Sequence, residues 1–232
     1  MARCGLSEPA PLLKRRRAIG LLGGSFNPAH GGHRRMSLMA LHRLRLDEVW
    51  WLVSPQNPLK PVRGMAPMAA RLQSARRVAR HPRIRPTAIE AEMGTQRTVD
   101  TLQALQAAFP QLRFVWLMGS DNLMQFHRWI EWRRIAHMVP IVVMARPLYA
   151  GKSQFSPAMG WLRFFRHPTT ADWRSWKLPA LAIVDYGLDR RSATAIRAAR
   201  ADWADGTEID GTNIGAGDAP RARTVPGAGD RP

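Results

Sequence analysis

Two histidines stand three residues apart at the end of a glycine-rich segment near the start of the chain. Residues 23–33 read Gly-Gly-Ser-Phe-Asn-Pro-Ala-His-Gly-Gly-His, which places the two imidazoles at His30 and His33. Glycines let a backbone approach a phosphate closely, and imidazole N–H groups donate hydrogen bonds to phosphate oxygens. The segment therefore predicts a binding site for a polyphosphate, with residues 23–29, the glycine loop, around the anion.

A strand and a helix are needed to hold the glycine loop in place. The apolar run at 18–22 predicts a strand before it, and apolar side chains at three- and four-residue steps from Met36 to Leu44 predict a helix after it. The first N–H groups of a helix lack intrahelical partners and attract anions. Two histidines three residues apart at the start of that helix lie on one side of it, where both can reach a phosphate.

Apolar runs alternate with amphipathic segments along the rest of the chain. The pattern predicts a helix at 65–80 and strands at 49–53, 84–89, 112–118, 139–144 and 178–184. This alternation predicts one doubly wound α/β domain of the Rossmann-like class, with an essentially parallel sheet, over residues 18–202. Residues 1–17 are expected to form a flexible extension, and residues 203–232, which have few large apolar side chains, a disordered tail.

Polar residues follow several of the predicted strands, and ligands bind at those strand ends in open α/β sheets. Lys60 lies in a loop interrupted by three prolines, so it is either a solvated lysine or one that reaches a phosphate. Thr98 is placed to cap a helix, and Asp121 can either cap a helix or hold a ribose hydroxyl. Ser192 predicts a helix N-cap, and with Arg197 near the same helix end it would form a second phosphate clamp.

Four motifs of the chain are similar to those of the H-x-G-H nucleotidyltransferase superfamily, and within it the chain resembles the bacterial nicotinate-nucleotide adenylyltransferases. The glycine loop with its histidines matches G-G-[ST]-F-[DN]-P-x-H-x-G-H, and residues 119–129 match G-x-D-x-L-x-x-F-x-x-W at every fixed position. Residues 192–197 match S-x-T-x-[IV]-R. Thr98 and Thr101 match an aromatic-T-x-x-T pattern, but Arg97 replaces its aromatic residue. The resemblance covers roughly residues 18–200.

This resemblance implies a role for each matched residue. It implies that Thr98 lies by the nicotinate ring, that Asp121 holds a ribose hydroxyl and that Trp129 stacks on the pyridine ring. It also implies that Arg146, which follows the fifth predicted strand, belongs to the same nucleotide site. The catalytic residues that it implies are His30, His33 and Arg197. The residues that it implies for ATP and phosphate binding are Gly23, Gly24, Ser25, Phe26, Lys60, Ser192 and Thr194.

The side chains indicate a group-transfer reaction that relies on positioning the substrates and neutralising their charge. The sequence contains no G-x-S-x-G elbow, no H-E-x-x-H pattern and only one cysteine, Cys4. Phosphoryl-type transfer needs no activated protein nucleophile. The resemblance implies the reaction of ATP with nicotinate mononucleotide to give nicotinate adenine dinucleotide and pyrophosphate, a step of NAD synthesis. We expect Mg²⁺ to be carried mainly by the ATP phosphates.

Two alternative functions stay open at the level of the sequence. One is a sister nucleotidyltransferase acting on another phosphate acceptor, such as nicotinamide mononucleotide or phosphopantetheine; Thr98 and the spacing from Asp121 to Trp129 suit a pyridine ring better. The other is a non-catalytic nucleic-acid-binding module, which we do not expect, because no basic-aromatic strand motif is visible. The side chains do not reveal whether nicotinate is preferred over nicotinamide. They do not reveal the oligomeric state either, and a homo-oligomer is one of the states left open.

The chain is strongly basic, with a formal net charge of +18. A surplus of this size attracts polyanions, but all except four of the 35 basic residues are arginines, a bias that coding preference also produces. A single cysteine excludes an internal disulfide and fits a reducing compartment. No apolar run approaches the roughly 18 residues of a membrane helix, and the one at 18–22 is too short for a signal sequence. We therefore expect a cytoplasmic protein without a membrane partner.

Overall fold

The computed structural model describes residues 16–55, 64–145 and 154–185. Six strands form one sheet in the order β3-β2-β1-β4-β5-β6, and every neighbouring pair is parallel. The strands are β1 (Arg17–Gly24), β2 (Glu48–Val53), β3 (Ile84–Thr87), β4 (Leu112–Gly119), β5 (Ile141–Ala145) and β6 (Leu181–Asp185). This order is that of a doubly wound sheet. The predicted Rossmann-like fold is therefore confirmed.

Helices cover both faces of the sheet. The helices are α1 (Gly31–Arg43), α2 (Met68–Ala79), α3 (Ile89–Glu92), α4 (Thr98–Ala108), α5 (Ser120–Gln125), α6 (Trp132–Met138) and α7 (Pro157–Leu162). Successive side chains of β1 point to opposite faces, so Ile19 and Leu21 join the core under α4 and α6, while Ala18 and Leu22 join the core under α1 and α2. Both faces are apolar, which explains why the buried strands read as continuous apolar runs.

The chain reverses its winding direction between β1 and β4. From β1 it moves outward through β2 and β3, then returns to place β4 on the other side of β1. The loops after these two central strands diverge to opposite faces, which opens a crevice at their carboxyl ends. The glycine loop follows β1 and Asp121 follows β4, so the fold brings both predicted segments to this crevice.

Two local predictions were wrong. The strand predicted at 84–89 ends at Thr87, because the Thr87 hydroxyl accepts a hydrogen bond from the Ile89 N–H at 3.1 Å and α3 begins there. Thr98 is not the N-cap of α4; the N-cap is Arg97, whose backbone is extended and whose side chain makes no capping bond. Thr98 is already the first helical residue, which places its side chain in the first turn of α4.

Two of the sequence predictions concern residues that the structure does not describe. The predicted tail at 203–232 lies outside the described residues, and so does most of the extension predicted at 1–17. Within the three described ranges, no helix has both the length and the apolar character needed to span a membrane.

Candidate functional site

The two histidines form a reciprocal cap at the start of α1. The Nδ1 of His30 accepts a hydrogen bond from the Gly32 N–H at 3.1 Å, and the Nδ1 of His33 accepts one from the His30 N–H at 3.2 Å. A Ser or Thr and a Glu or Gln usually make this capping box. The centroids of the two imidazole rings are 3.9 Å apart. The histidines therefore lie on one side of the helix start, as their spacing predicts.

These capping bonds set the tautomer of both rings. A nitrogen that accepts a hydrogen bond presents its lone pair, so each neutral imidazole carries its proton on Nε2. Each ring can then donate from Nε2 while its Nδ1 is held by the backbone. His30 is buried, with 6% of its surface exposed, and His33 is half-buried. Two such donors at the positive end of a 13-residue helix form a site suited to an anion.

Phe26 gives the glycine loop its shape. Its φ of 46° lies in the left-handed region, which is unfavourable for a bulky side chain. The ring is buried and packs 5.0 Å from the Trp51 ring and 4.8 Å from the His33 ring, centroid to centroid. This packing ties the conformation of the loop to the position of the second histidine.

Gly23, the first residue of the glycine loop, packs closely against a tryptophan of β4. A Cβ at Gly23 would lie 2.8 Å from the Trp116 ring, whereas one at Gly24 would make an ordinary contact with the Phe26 ring at 3.4 Å. A side chain at Gly23 would therefore displace a buried tryptophan of β4. Gly23 is thus required by packing within the protein, whatever it also does for a phosphate.

Asn27 fastens the glycine loop to the segment that leads into α2. Its Oδ1 accepts from the Ala66 N–H at 3.1 Å, and its Nδ2 donates to the Gly64 carbonyl at 2.8 Å. Two residues on, the Ala29 N–H donates to the Ser74 hydroxyl at 3.3 Å. The peptide bond between Asn27 and Pro28 is cis. These hydrogen bonds therefore hold the loop against α2 and the segment before it.

The residues implied at the pyridine and ribose lie on the other side of the crevice. Asp121 is exposed in the first turn of α5, and its carboxylate folds back over Gly119, where a Cβ would collide with it. Trp129 is half-buried; its ring packs edge-on against Trp116 at 6.0 Å and Phe126 at 5.3 Å. Because these contacts leave part of the indole accessible, a flat ring could stack on it.

Five of the predicted site residues lie outside the described residues: Lys60, Arg146, Ser192, Thr194 and Arg197. Their assignments stay predictions. The structure brings His30 and His33 together beside Phe26, and the strand order carries Asp121 to the same edge of the sheet. Thr98 is half-buried at the start of α4, on the face where Trp129 packs.

Two buried charged residues that the sequence did not single out lie behind this edge. Arg71 of α2 and Glu90 of α3 are 1% and 6% exposed. The Oε1 of Glu90 accepts from the Thr101 hydroxyl at 3.4 Å, and the Ser54 hydroxyl also bonds this carboxyl. Among the described residues its Oε2 has no hydrogen-bond partner. Burial raises the pKa of Glu90 from 4.5 to about 7, against the two hydroxyls, which lower it.

Glu90 is expected to make stability fall as the pH rises. Its pKa is higher in the folded than in the unfolded chain, so folding takes up a proton between about pH 4.5 and 7 and stability decreases through that window, then levels off. Glu90→Gln removes this dependence. Relative to the unmodified chain, the variant should gain about 2 kcal/mol in the free energy of unfolding between pH 5.5 and 8. Urea denaturation at the two pH values measures this gain.

The control for this measurement is Glu92→Gln, since Glu92 is exposed on the same short helix. The Glu92 side chain is exposed to water in the folded chain, as it is in the unfolded one, so this variant should show no gain with pH. An equal gain in both variants would mean that the gain does not come from the burial of Glu90, and no gain in Glu90→Gln would also contradict the prediction.

Comparison with known proteins places this site in a family. A family model described as cytidylyltransferase-like matches residues 21–199. A probable nicotinate-nucleotide adenylyltransferase of Erythrobacter litoralis is 59% identical over 187 residues, covering 79% of this chain and 85% of that protein. One of Parvibaculum lavamentivorans is 52% identical over 191 residues, covering 80% and 92%.

A solved structure shares this fold. The nicotinic acid mononucleotide adenylyltransferase of Plasmodium falciparum, solved in complex with NaAD, aligns with a TM-score of 0.59 at 15% identity, over 78% of this chain and 83% of that one. At this identity the likeness shows the fold alone. The sequence relatives and the family model go further: the chain belongs to the cytidylyltransferase-like family and, within it, to the nicotinate-nucleotide adenylyltransferases.

Proposed function

We propose that this chain transfers the adenylyl group of ATP to nicotinate mononucleotide. An oxygen of the mononucleotide phosphate attacks the α-phosphorus of ATP, and a new P–O bond forms as the bond to the bridging oxygen of the β-phosphate breaks. The products are nicotinate adenine dinucleotide and pyrophosphate. The relatives named above carry this activity in their names.

The observation that carries the proposal is the histidine pair at the start of α1. Both Nδ1 atoms are occupied by backbone N–H groups, which leaves Nε2–H as the donor of each neutral ring. Donors fixed before the reaction stabilise negative charge as it develops without a cost of reorganisation. We assign His30 and His33 to the oxygens of the triphosphate, with Lys60 and Arg197 as further cations and Ser192 and Thr194 at the second phosphate clamp.

The acceptor nucleotide is assigned to the other side of the crevice. Trp129 would stack on the pyridine ring, Thr98 would lie beside that ring, and Asp121 would accept from a ribose hydroxyl. Arg146 would complete this half of the site. The support is that β1 and β4 are neighbours in the sheet, so that the loops after them face one crevice.

Mg²⁺ is proposed as the metal of the reaction, carried mainly by the ATP phosphates. Within the described ranges, no three His, Cys, Asp or Glu side chains come together as metal ligands. A Mg²⁺ that keeps several waters and binds through substrate phosphates needs no such cluster, so the residues present fit this mode of binding. Bound there, it would neutralise charge on the leaving pyrophosphate. We also propose the cytoplasm as the compartment.

The choice of acceptor is tested by comparing kcat/KM for different acceptors. We expect kcat/KM for nicotinate mononucleotide to exceed that for nicotinamide mononucleotide and for phosphopantetheine by at least tenfold with ATP and Mg²⁺, and activity to be lost with excess chelator. If kcat/KM were highest for phosphopantetheine, the chain would have the activity of a sister nucleotidyltransferase instead. Comparable values for the two pyridine nucleotides would remove the nicotinate preference from the proposal.

A further inference from the structure

Arg71 is a buried cation beneath the glycine loop. It belongs to the first turn of α2 and is 1% exposed. Its guanidinium donates to four backbone carbonyls, those of Ser25, Ser54, Pro55 and Ala66, and to the Sδ of Met68. Within the parts of the chain that the structure describes, none of these partners is a carboxylate. Such a charge is costly to bury, and four carbonyls replace the water that it loses.

These carbonyls come from three separate segments of the chain. Ser25 lies in the glycine loop at 2.9 Å, Ser54 and Pro55 follow β2 at 2.6 and 2.9 Å, and Ala66 precedes α2 at 2.9 Å. The planar guanidinium can serve all three at once, because its five N–H groups point in fixed directions. A lysine offers three donors from one atom and cannot span the same partners.

One of the four contacts, that with the Ser25 carbonyl, acts directly on the glycine loop. Ser54 and Ala66 precede prolines, so their peptide groups have no N–H to present. The peptide between Ser25 and Phe26 is trans, so when its carbonyl points at Arg71 its N–H points to the opposite side. Arg71 therefore keeps the Phe26 N–H directed away from its own guanidinium.

The same contact also influences the position of His33. The peptide that Arg71 holds leads into Phe26, whose left-handed backbone needs support from its surroundings. The Phe26 ring in turn contacts His33 at 4.8 Å. A shift of this peptide would move both a backbone donor of the loop and one imidazole of the site.

We propose that Arg71 is a positioning residue for the triphosphate, which it serves by orienting the glycine loop. This role rests on the proposed function, in which the glycine loop binds ATP. It differs from a general stabilising role because it predicts a loss specific to the triphosphate. The nucleotide acceptor keeps its contacts with Thr98, Asp121 and Trp129, none of which touches Arg71.

The test uses Arg71→Lys and Arg71→Ala, with Arg76→Ala as control, because Arg76 is exposed on the same helix. Affinity for a methylene-bridged, non-hydrolysable ATP analogue and for nicotinate mononucleotide is measured by calorimetry on each folded protein. We expect both Arg71 variants to weaken the analogue at least tenfold, to change the affinity for the mononucleotide by less than threefold, and to lower kcat at least tenfold. The control should match the unmodified chain.

Chemical rescue shows whether the guanidinium group itself is needed or only the volume of the side chain. Guanidinium ion at roughly 50 mM, far below denaturing concentrations, should restore much of the analogue affinity of Arg71→Ala, and urea at the same concentration should not. Equal losses for both ligands together with a lower melting temperature, or failure of both variants to fold, would overturn the proposal. If the chain binds the analogue in an Arg71-dependent way but does not use nicotinate mononucleotide, the proposed function fails and the role of Arg71 stands.

Discussion

Replacing His33 by alanine is expected to lower kcat by about a hundredfold or more while leaving the protein folded. The imidazole donates toward charge that grows on the triphosphate as pyrophosphate leaves, and loss of one such donor typically costs about 10² to 10³ in kcat. The KM values should change much less, because the interaction strengthens mainly in the transition state. Steady-state kinetics at saturating ATP and mononucleotide measure the effect.

His33 also caps α1, so the alanine variant mixes two losses. His33→Gln separates them, because a glutamine at this helix position can still accept from the His30 N–H in a capping box. The glutamine variant should melt near the unmodified chain yet lose most of kcat. His42→Ala serves as a control, since His42 is exposed in the last turn of the same helix. A glutamine variant with more than a third of the original kcat would show that His33 acts only as a cap.

Replacing Trp129 by alanine should raise the KM of nicotinate mononucleotide several-fold to tenfold or more and change the KM of ATP by less than twofold. Stacking between aromatic rings is worth about 0.5–1.5 kcal/mol beyond the burial of area, which corresponds to the lower part of that range. Trp129→Phe keeps a flat ring and should recover most of the loss. Both KM values and the melting temperature are measured for each variant.

Trp132→Ala is the matched control for this prediction. Trp132 is also half-buried and also packs edge-on against Phe126, at 5.7 Å, but it makes its other ring contact with Trp161. Its loss should lower the melting temperature and leave both KM values unchanged. If Trp129→Ala melts early and weakens ATP and mononucleotide alike, Trp129 is a core residue and the assignment of the pyridine site is wrong.

The fold was predictable because its signals are local. Most of the buried parallel strands contain a continuous apolar run, as at 49–53, and such a run is followed by a break and a helical pattern. The handedness of such connections and the glycine loop then favour a doubly wound sheet. The short α3 was missed because residues 84–89 were interpreted as a single short strand with an isoleucine at each end, whereas the hydrogen bond to the Thr87 hydroxyl accompanies the end of the strand there.

The site was predictable only where motifs carry it. The histidine pair and the segment from Asp121 to Trp129 stand out as spacings of chemically distinctive residues. Arg71 does not, because it lies among the other arginines of α2 and its burial depends on carbonyls up to 46 residues away in the sequence. Glu90 was missed for the same reason: Ser54 and Thr101, which bond its carboxyl, belong to other elements.

The capping role of the histidines was also not readable. Capping boxes are recognised by Ser or Thr followed by Glu or Gln, so His30 and His33 were interpreted only as phosphate ligands. The structure shows that one nitrogen of each ring bonds the backbone, which fixes the tautomer before any ligand binds. The two roles are compatible because each imidazole has two nitrogens.

The most direct test of the central claim follows the phosphorus atoms of ATP. The chain is incubated with nicotinate mononucleotide, Mg²⁺ and ATP labelled either at the α- or at the γ-phosphate, and the products are separated. Adenylyl transfer predicts that the α-label appears in nicotinate adenine dinucleotide and the γ-label in pyrophosphate, in equal amounts and only when the mononucleotide is present. A folded protein that binds the ATP analogue but forms no labelled dinucleotide, or that releases the γ-label as inorganic phosphate, would contradict the account.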